Sequence, residues 1–241
     1  MLTFRERMLK SSEEKGSRVV LALDFSDPVD SRLAKAEGVL DRVAGQVAAV
    51  KLNNHLLLPY GLKGISGVIA KCKEQRLPLI ADLKMNDIEA TNLNVVDSLL
   101  HFGFDAVIAN PFVGFEEGLG RVVEKMHSAG GGVLLLVYMS HRGADDGYGL
   151  EVGGEPMYRI FARRAKDWGA DGVVVSAKDP AKISETRRIV GRDSLIFSPG
   201  IGAQGGDMKA GAGEGADFVI VGRALTEAAD PAKAVRELNG D

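Results

Sequence analysis

Cysteine, histidine and tryptophan are all scarce in this sequence, and each scarcity removes a class of chemistry. The single cysteine, Cys72, has no partner for an internal disulfide, which fits a reducing compartment, so a cytoplasmic location is expected. Cys72 falls in a helix-patterned segment away from any strand end, which leaves a nucleophilic thiol unsupported. The four histidines, His55, His101, His127 and His141, show no metal-ligand spacing, and no metal is expected. His141 directly follows Ser140, but neighbouring residues of an extended chain point apart, so the two are not a nucleophile and its base. The lone tryptophan, Trp168, precedes a glycine and reads as packing at a helix end.

Long apolar runs and an excess of positive charge are missing as well. No stretch is apolar for long enough to cross a bilayer, and the charged residues of 1–18 leave no apolar core of the kind a signal peptide carries. A formal charge of -3 argues against nucleic acid or an anionic membrane as partner, because both select a basic surface. Of the 241 residues, 45% are hydrophobic and 26% charged, a globular composition that excludes disorder and suffices for one large domain or two small ones. A small-molecule ligand is the partner this balance suits.

What the sequence has in abundance is alternation. Short β-type apolar runs occupy residues 19–23, 47–52, 77–83, 106–109, 133–138, 172–175, 195–197 and 218–221. Between them lie segments 30–43, 65–75, 89–101, 115–128, 157–168, 181–190 and 224–238, whose apolar residues recur at helical spacing. Three helices run into the turns Gly103-Phe104-Asp105, Gly169-Ala170-Asp171 and Gly215-Ala216-Asp217, the pattern of a glycine cap followed by re-entry to a sheet. Eight strand-plus-helix units predict an α/β chain folded as a (β/α)8 TIM barrel, with a doubly wound open sheet as the other arrangement of the same pattern. No linker interrupts the alternation, so residues 1–241 are expected to form a single domain. Residues 1–17 would be a helical extension, with 1–10 as a helix over the barrel floor.

The most informative stretch is residues 79–91. On a strand, Ile80, Asp82 and Lys84 share one face and Leu79, Ala81 and Leu83 the other. An acid and a base therefore project to one side at the end of an otherwise buried strand, where leaving them unpaired would be costly. Asp87 and Thr91 are four apart and stack on one face if a helix begins there. A structural salt bridge for Asp82 and Lys84, and a helix N-cap for Asp87, are the plain alternatives.

Polar residues also end the other strands. Asp24 follows the first, Lys51 ends the second, Ser140 the fifth, Pro199 and Gln204 follow the seventh, and Gly222 and Arg223 the eighth. In a barrel these would ring one mouth, the face that carries chemistry. Lys51, Asp82, Lys84 and Asp87 alternate in sign and could hold one another ionised as the catalytic set. The long loops 140–154 and 198–207 are glycine-rich. Gly200, Gly202 and their neighbours let backbone approach a ligand, and together with Gly222 and Arg223 they fit the phosphate site common after barrel strands seven and eight.

Taken together, Asp82-x-Lys84-x-x-Asp87-Ile88-x-x-Thr91 resembles the signature of the orotidine 5′-monophosphate decarboxylase family. Leu23-Asp24, Val50-Lys51, Met139-Ser140-His141, the run Ser198-Pro199-Gly200-Ile201-Gly202-Ala203-Gln204-Gly205-Gly206-Asp207, and Val221-Gly222-Arg223 are similar to that family's remaining blocks, in the same order, so the likeness covers nearly the whole chain. Two positions depart from it: Glu89 and Arg142 stand where many members have proline, and neither supplies a side chain the chemistry needs.

The resemblance implies a (β/α)8 homodimer that converts orotidylate to uridylate and carbon dioxide in pyrimidine synthesis, without metal or organic cofactor. It further implies that Lys84 protonates C6 and that Asp82 lies beside the substrate carboxylate. Asp24, Lys51, Asp87 and Thr91 would hold the ribose hydroxyls, and Ser140 the pyrimidine amide edge. Ile88 would form an apolar wall, and Gln204, Gly222 and Arg223 would hold the phosphate. Asp87, Ile88 and Thr91 would reach the pocket across the dimer interface. Two other readings stay open: a magnesium-dependent sugar-phosphate decarboxylase or synthase of the same superfamily, and a silent phosphate-ligand sensor in which Lys84 only pairs ions.

Overall fold

The structure is a computed structural model that describes residues 1–200 and 215–240. Eight parallel strands close into a barrel. They are β1 (Val19–Ala22), β2 (Ala49–Asn53), β3 (Leu79–Met85), β4 (Ala106–Ala109), β5 (Gly132–Tyr138), β8 (Gly172–Val175), β9 (Leu195–Pro199) and β10 (Phe218–Val221). The spatial order is β1-β10-β9-β8-β5-β4-β3-β2, so every strand lies beside its sequence neighbour among these eight, and the first meets the last. The open-sheet arrangement is thereby excluded. The remaining strands, β6 (Glu151–Val152) and β7 (Glu155–Pro156), form a small antiparallel hairpin inside the long loop after β5.

Alternation along each strand divides the apolar residues into two layers. Val20, Ile80, Ile108, Leu134, Leu136, Val174, Phe197, Phe218 and Ile220 fill the barrel interior. Leu21, Val50, Leu79, Ala81, Val107, Val133 and Val173 face outward against the helices. Burying one such side chain contributes roughly 1.5–3 kcal/mol, so the layers dominate the stability of the sheet. At the floor the interior is crowded. A Cβ on Gly172 would lie 3.0 Å from the Phe197 ring, and one on Gly132 only 2.5 Å from the ring of Phe4, so glycine at these two strand starts makes room for aromatic rings.

Phe4 belongs to α1 (Phe4–Lys15), which begins with a Thr3–Glu6 capping box and ends on a left-handed Gly16. Phe4 and Met8 are fully buried in the interior cluster, and Phe4 stacks on Phe197 at 6.4 Å. The helix thus covers the floor, starting and ending a few residues later than the expected 1–10.

The three glycine–acid turns do more at the floor than end helices. Each carboxylate accepts a hydrogen bond from the first or second backbone N–H of a strand: Asp105 from Leu79, Asp171 from Val133 and Asp217 from Ile196, at 2.7 to 2.8 Å. Each also meets a side chain of an adjacent helix, namely Arg7, His127 and Arg187 respectively. Strand starts that would otherwise leave a donor unpaired are stitched in this way to the helical layer.

The helices α2 (Val29–Val43), α4 (Ser66–Glu74), α5 (Glu89–Phe102), α7 (Met157–Asp167) and α8 (Pro180–Val190) fall where the apolar spacing predicts them. Three regions differ. α3 (Asn54–Gly64) occupies a stretch given no element by the spacing, because Pro59 and Gly61 look like breakers. Asn53 caps it through the His55 N–H, and Gly61 breaks it internally at φ 62°. The expected helix 115–128 is interrupted, with Glu117 at φ 52° inside a wide turn before α6 (Gly120–Ser128). The expected helix 224–238 is split into Arg223–Thr226 and Pro231–Asn239, because Asp230 caps a new start at Pro231. No helix among the described residues is long and apolar enough to cross a membrane.

Candidate active site

At the end of the barrel where the strands finish, a cavity of about 340 Å³ opens among all eight barrel strands. Asp24, Lys51, Asp82, Lys84, Ser140, Pro199, Gly200, Gly222 and Arg223 all line it, so nine of the residues singled out from the sequence converge on one space.

Its wall carries a chain of charges of alternating sign. Lys51 Nζ stands 3.2 Å from both carboxylate oxygens of Asp24 and 2.8 Å from Asp82 Oδ2. Lys84 Nζ stands 2.8 Å from Asp82 Oδ1. The two inner members, Lys51 and Asp82, are buried, whereas Asp24 and Lys84 are partly open to the cavity. Burial pulls the Lys51 ammonium toward neutrality, but Asp82 and Asp24 outweigh it and leave its pKa above the ordinary lysine value. Burial likewise pushes the Asp82 carboxyl upward, and Lys51 and Lys84 overcome this and hold it below the ordinary carboxylate range. Both inner groups are therefore ionised at neutral pH.

The backbone explains how two charges leave a buried strand. Between the pairs Ala81–Val107 and Met85–Ala109, β3 advances by four residues while β4 advances by two, so the segment with Asp82 and Lys84 bulges from the ladder toward the cavity. Lys84 itself sits at φ 49°, a left-handed conformation that costs a residue with a Cβ of order 1 kcal/mol. A strained lysine held beside a buried carboxylate points to function, since a structural ion pair has no need of it.

Asp87, Ile88 and Thr91 are not part of this cavity. The expected network of Lys51, Asp82, Lys84 and Asp87 is within this chain a network of Asp24, Lys51, Asp82 and Lys84. Asp87 lies past the strand end, is exposed, and accepts a hydrogen bond from the Ile88 N–H at 2.8 Å. It is not the N-cap of α5 either, a position taken by Ile88. Ile88 is 64% exposed. Thr91 lines a separate outward groove with Leu57, Leu62, Leu83, Val95 and Leu99. Gly202 and Gln204 lie outside the described residues.

Several cavity residues carry no sequence signal of their own. Ile108, Leu136, Val174 and Ile220 form its apolar base, and Ser26, His55, Tyr138 and Met139 its side. The four apolar ones could have been found by counting inward positions toward the strand ends. His55 accepts the Phe25 N–H at its Nδ1 (3.0 Å), which puts its proton on Nε2 when the ring is neutral. Arg223 begins a helix as expected, but one of only four residues. Cys72 is buried away from the mouth, and burial pushes its thiol up to about 12, an inert state. No group of three or more His, Cys, Asp or Glu side chains among the described residues could hold a metal ion.

A closed parallel barrel with a buried charge chain at the strand-end mouth defines a TIM-barrel enzyme site. The chain belongs to the orotidine 5′-phosphate decarboxylase / HUMPS family, whose model matches residues 17–238. It is 36% identical over 225 residues to an orotidine 5′-phosphate decarboxylase of Methanosarcina barkeri, covering 93% of this chain and 94% of the relative. It is 37% identical over 221 residues to the enzyme of that name from Pyrococcus abyssi, covering 91% and 96%. Among solved structures, the Methanocaldococcus jannaschii orotidine 5′-monophosphate decarboxylase complexed with inhibitor BMP superposes with a TM-score of 0.75 at 27% identity, covering 93% of this chain and 97% of that one.

Proposed function

We propose that this protein decarboxylates orotidine 5′-monophosphate to uridine 5′-monophosphate and carbon dioxide, the step its relatives are named for, in de novo pyrimidine synthesis. The observation that carries the reading is the Asp24–Lys51–Asp82–Lys84 chain, with its outer lysine strained toward an apolar-based cavity. In this reaction the bond from C6 to the carboxylate breaks and its electron pair stays on C6, where no ring carbonyl is placed to delocalise it. An adjacent ammonium ion stabilises that charge and then neutralises it by proton transfer, and Lys84 is the group for both tasks. Asp82, ionised between two lysines, disfavours the bound carboxylate ground state, a repulsion relieved as carbon dioxide departs.

The rest of the cavity suits the other parts of such a ligand. Ile108, Leu136, Val174 and Ile220 offer an apolar bed for a planar base, and Ser140 a hydroxyl for its amide edge. Asp24 and Lys51 are spaced for ribose hydroxyls. Arg223, with backbone at Gly200 and Gly222, suits a phosphate, and Gly202 and Gln204 complete that site in this reading. We read residues 1–241 as one barrel domain acting in the cytoplasm without cofactor. The deciding experiment is to add orotidylate with EDTA present and follow its ultraviolet absorbance. Undiminished turnover supports this reading, and loss of activity restored by magnesium points to the sugar-phosphate branch.

The active unit in this reading is a homodimer, with Asp87, Ile88 and Thr91 completing the partner's pocket. Supporting it, all three are exposed, and Thr91 lines an apolar groove of about 370 Å³ together with Leu57, whose chain neighbour Leu58 is 82% exposed. Mixing Lys84→Ala with Asp87→Asn subunits tests it. After random exchange about half the dimers are mixed and roughly a quarter of all pockets carry neither lesion. Activity well above both parents is expected, and no recovery after exchange is verified by mass spectrometry would place Asp87 in its own subunit's site.

A further inference from the structure

The loop that carries Ser140 is held in place by a device on a different part of the barrel. Tyr138, the last residue of β5, lines the cavity and is 6% exposed. Its hydroxyl donates to Asp145 Oδ1 at 2.6 Å, closing the loop's first turn back onto the strand. Within that turn the Tyr148 N–H bonds the Ala144 carbonyl at 2.8 Å and the Gly149 N–H the Asp145 carbonyl at 3.1 Å. A Cβ on Gly149 would meet that same carbonyl oxygen at 2.8 Å, so the coil is tight. Ser140 sits between the anchored Tyr138 and the coil it closes.

Lys182, on the first turn of α8, reaches over this assembly. Its Nζ lies 4.5 Å from the Tyr138 ring centroid, 5.6 Å from that of Tyr158 and 3.9 Å from Asp145 Oδ1. Helix α8 does not need this side chain for its own start. Asp179 already caps it by accepting the Lys182 backbone N–H, and Pro180 occupies the first turn. Asp179 Oδ2 also holds the ammonium, at 2.6 Å, and so aims it at the tyrosine face. The side chain is 18% exposed, which leaves the cation–ring contact poorly screened.

We propose that Lys182 is a positioning residue: by clamping Tyr138 and Asp145 from α8, it fixes the loop that presents Ser140 at the mouth. The proposal rests on the reading of the mouth as an orotidylate site. Because the loop meets the pyrimidine in the ground state, its loss is felt in KM before kcat.

The test uses full-length Lys182→Met, which keeps the apolar stem, and Lys182→Arg, which keeps a cation for the ring. Steady-state kinetics with orotidylate are combined with hydrogen exchange over residues 141–149 and thermal melting. Lys182→Met is expected to raise KM about tenfold with kcat within about twofold, and to speed exchange in 141–149. Lys182→Arg is expected to restore most of both. Should Lys182→Met fold poorly, Tyr138→Phe, which keeps the ring under the cation and drops the hydroxyl's bond to Asp145, should give the same pattern at smaller size. Unchanged KM and exchange in folded Lys182→Met would overturn the clamp, as would kcat falling with the melting temperature while exchange in the loop stays as in wild type. If the wild type itself fails to consume orotidylate, the functional reading falls, and exchange in 141–149 still decides the clamp.

Discussion

The two ends of this barrel use aspartate in opposite ways. At the floor, Asp105, Asp171 and Asp217 each accept a strand backbone N–H and meet a helix-borne cation or histidine, so their carboxylates complete the secondary structure. At the mouth, among the described residues, the Asp24 and Asp82 carboxylates bond only lysines, and those lysines face a cavity. Carboxylates bonded to backbone are committed to the fold. Those balanced between side-chain ammonium groups at a cavity remain available to a ligand, and the contrast marks a working end and a structural end without reference to any relative.

Substitutions should separate the ends. The largest effect belongs to Lys84→Ala, which is expected to lower kcat by on the order of 10⁴-fold, since it removes both a proton donor and a charge stabiliser. Calorimetry should still detect uridylate, because the phosphate and ribose contacts remain. Retention of more than a few per cent of turnover would end the case for Lys84 as the acid.

Lys51→Met sharpens the comparison from the stability side. It takes from Asp24 and buried Asp82 the ammonium they share and leaves Lys84 as the cation paired with Asp82, and removing one partner of a buried pair costs about 3 kcal/mol. Urea unfolding should register this loss, and a variant as stable as wild type would mean that Asp82 takes up a proton instead.

Asp217→Ala is the matching lesion at the floor. It frees the Ile196 N–H and takes the ion-pair partner from Arg187, which keeps its bonds to the Gly191, Ser194 and Gly215 carbonyls, for an expected cost of about 2 kcal/mol and a melting temperature lower by several degrees. Turnover of the folded variant should stay within about twofold of wild type. A large fall in kcat would dissolve the division between the ends.

The smallest effect is in acid. Burial raises the Asp105 carboxyl pKa despite the Leu79 N–H and Arg7. The Asp105 contribution should therefore grow as pH falls through that raised pKa, until the unfolded value of ~3.9 is passed. Asp82 acts in the other direction: its contribution is whole above ~3.9 and is lost as pH falls through its depressed folded pKa. Asp105→Asn should flatten the stability curve between about pH 4 and neutral without touching the loss in stronger acid, as urea titrations at a series of pH values can measure.

Much of this was legible in the sequence. The eight strands lie where apolar runs place them, and the period of two correctly sends Ile80, Asp82 and Lys84 inward. The floor carboxylates were legible only as turn residues, because each one's N–H partner lies 21 to 38 positions away on another strand. The left-handed backbone of Lys84 was not legible at all, since lysine has no preference for it and the bulge arises from pairing with β4. Helix α3 was hidden by Pro59 and Gly61, whose local meaning is overridden by the Asn53 cap and the burial of Leu56. Tyr138 and Lys182 stayed hidden for a similar reason. Their meeting depends on β5 pairing with β8 some 35 residues on, which sets the end of one strand beside the helix that follows the other.

The ring of Phe4 has a bearing on how this protein is handled. The family match starts at residue 17, after α1 has ended, so a chain trimmed to that boundary would keep every residue of the mouth and still lose its stopper. The hole would open where Gly132 has no side chain to offer and the stacked pair Phe197 and Phe218 would face water. Purification tags are therefore better placed at the far terminus, and any shortened form should be checked for clumping before its activity is compared with that of the intact chain.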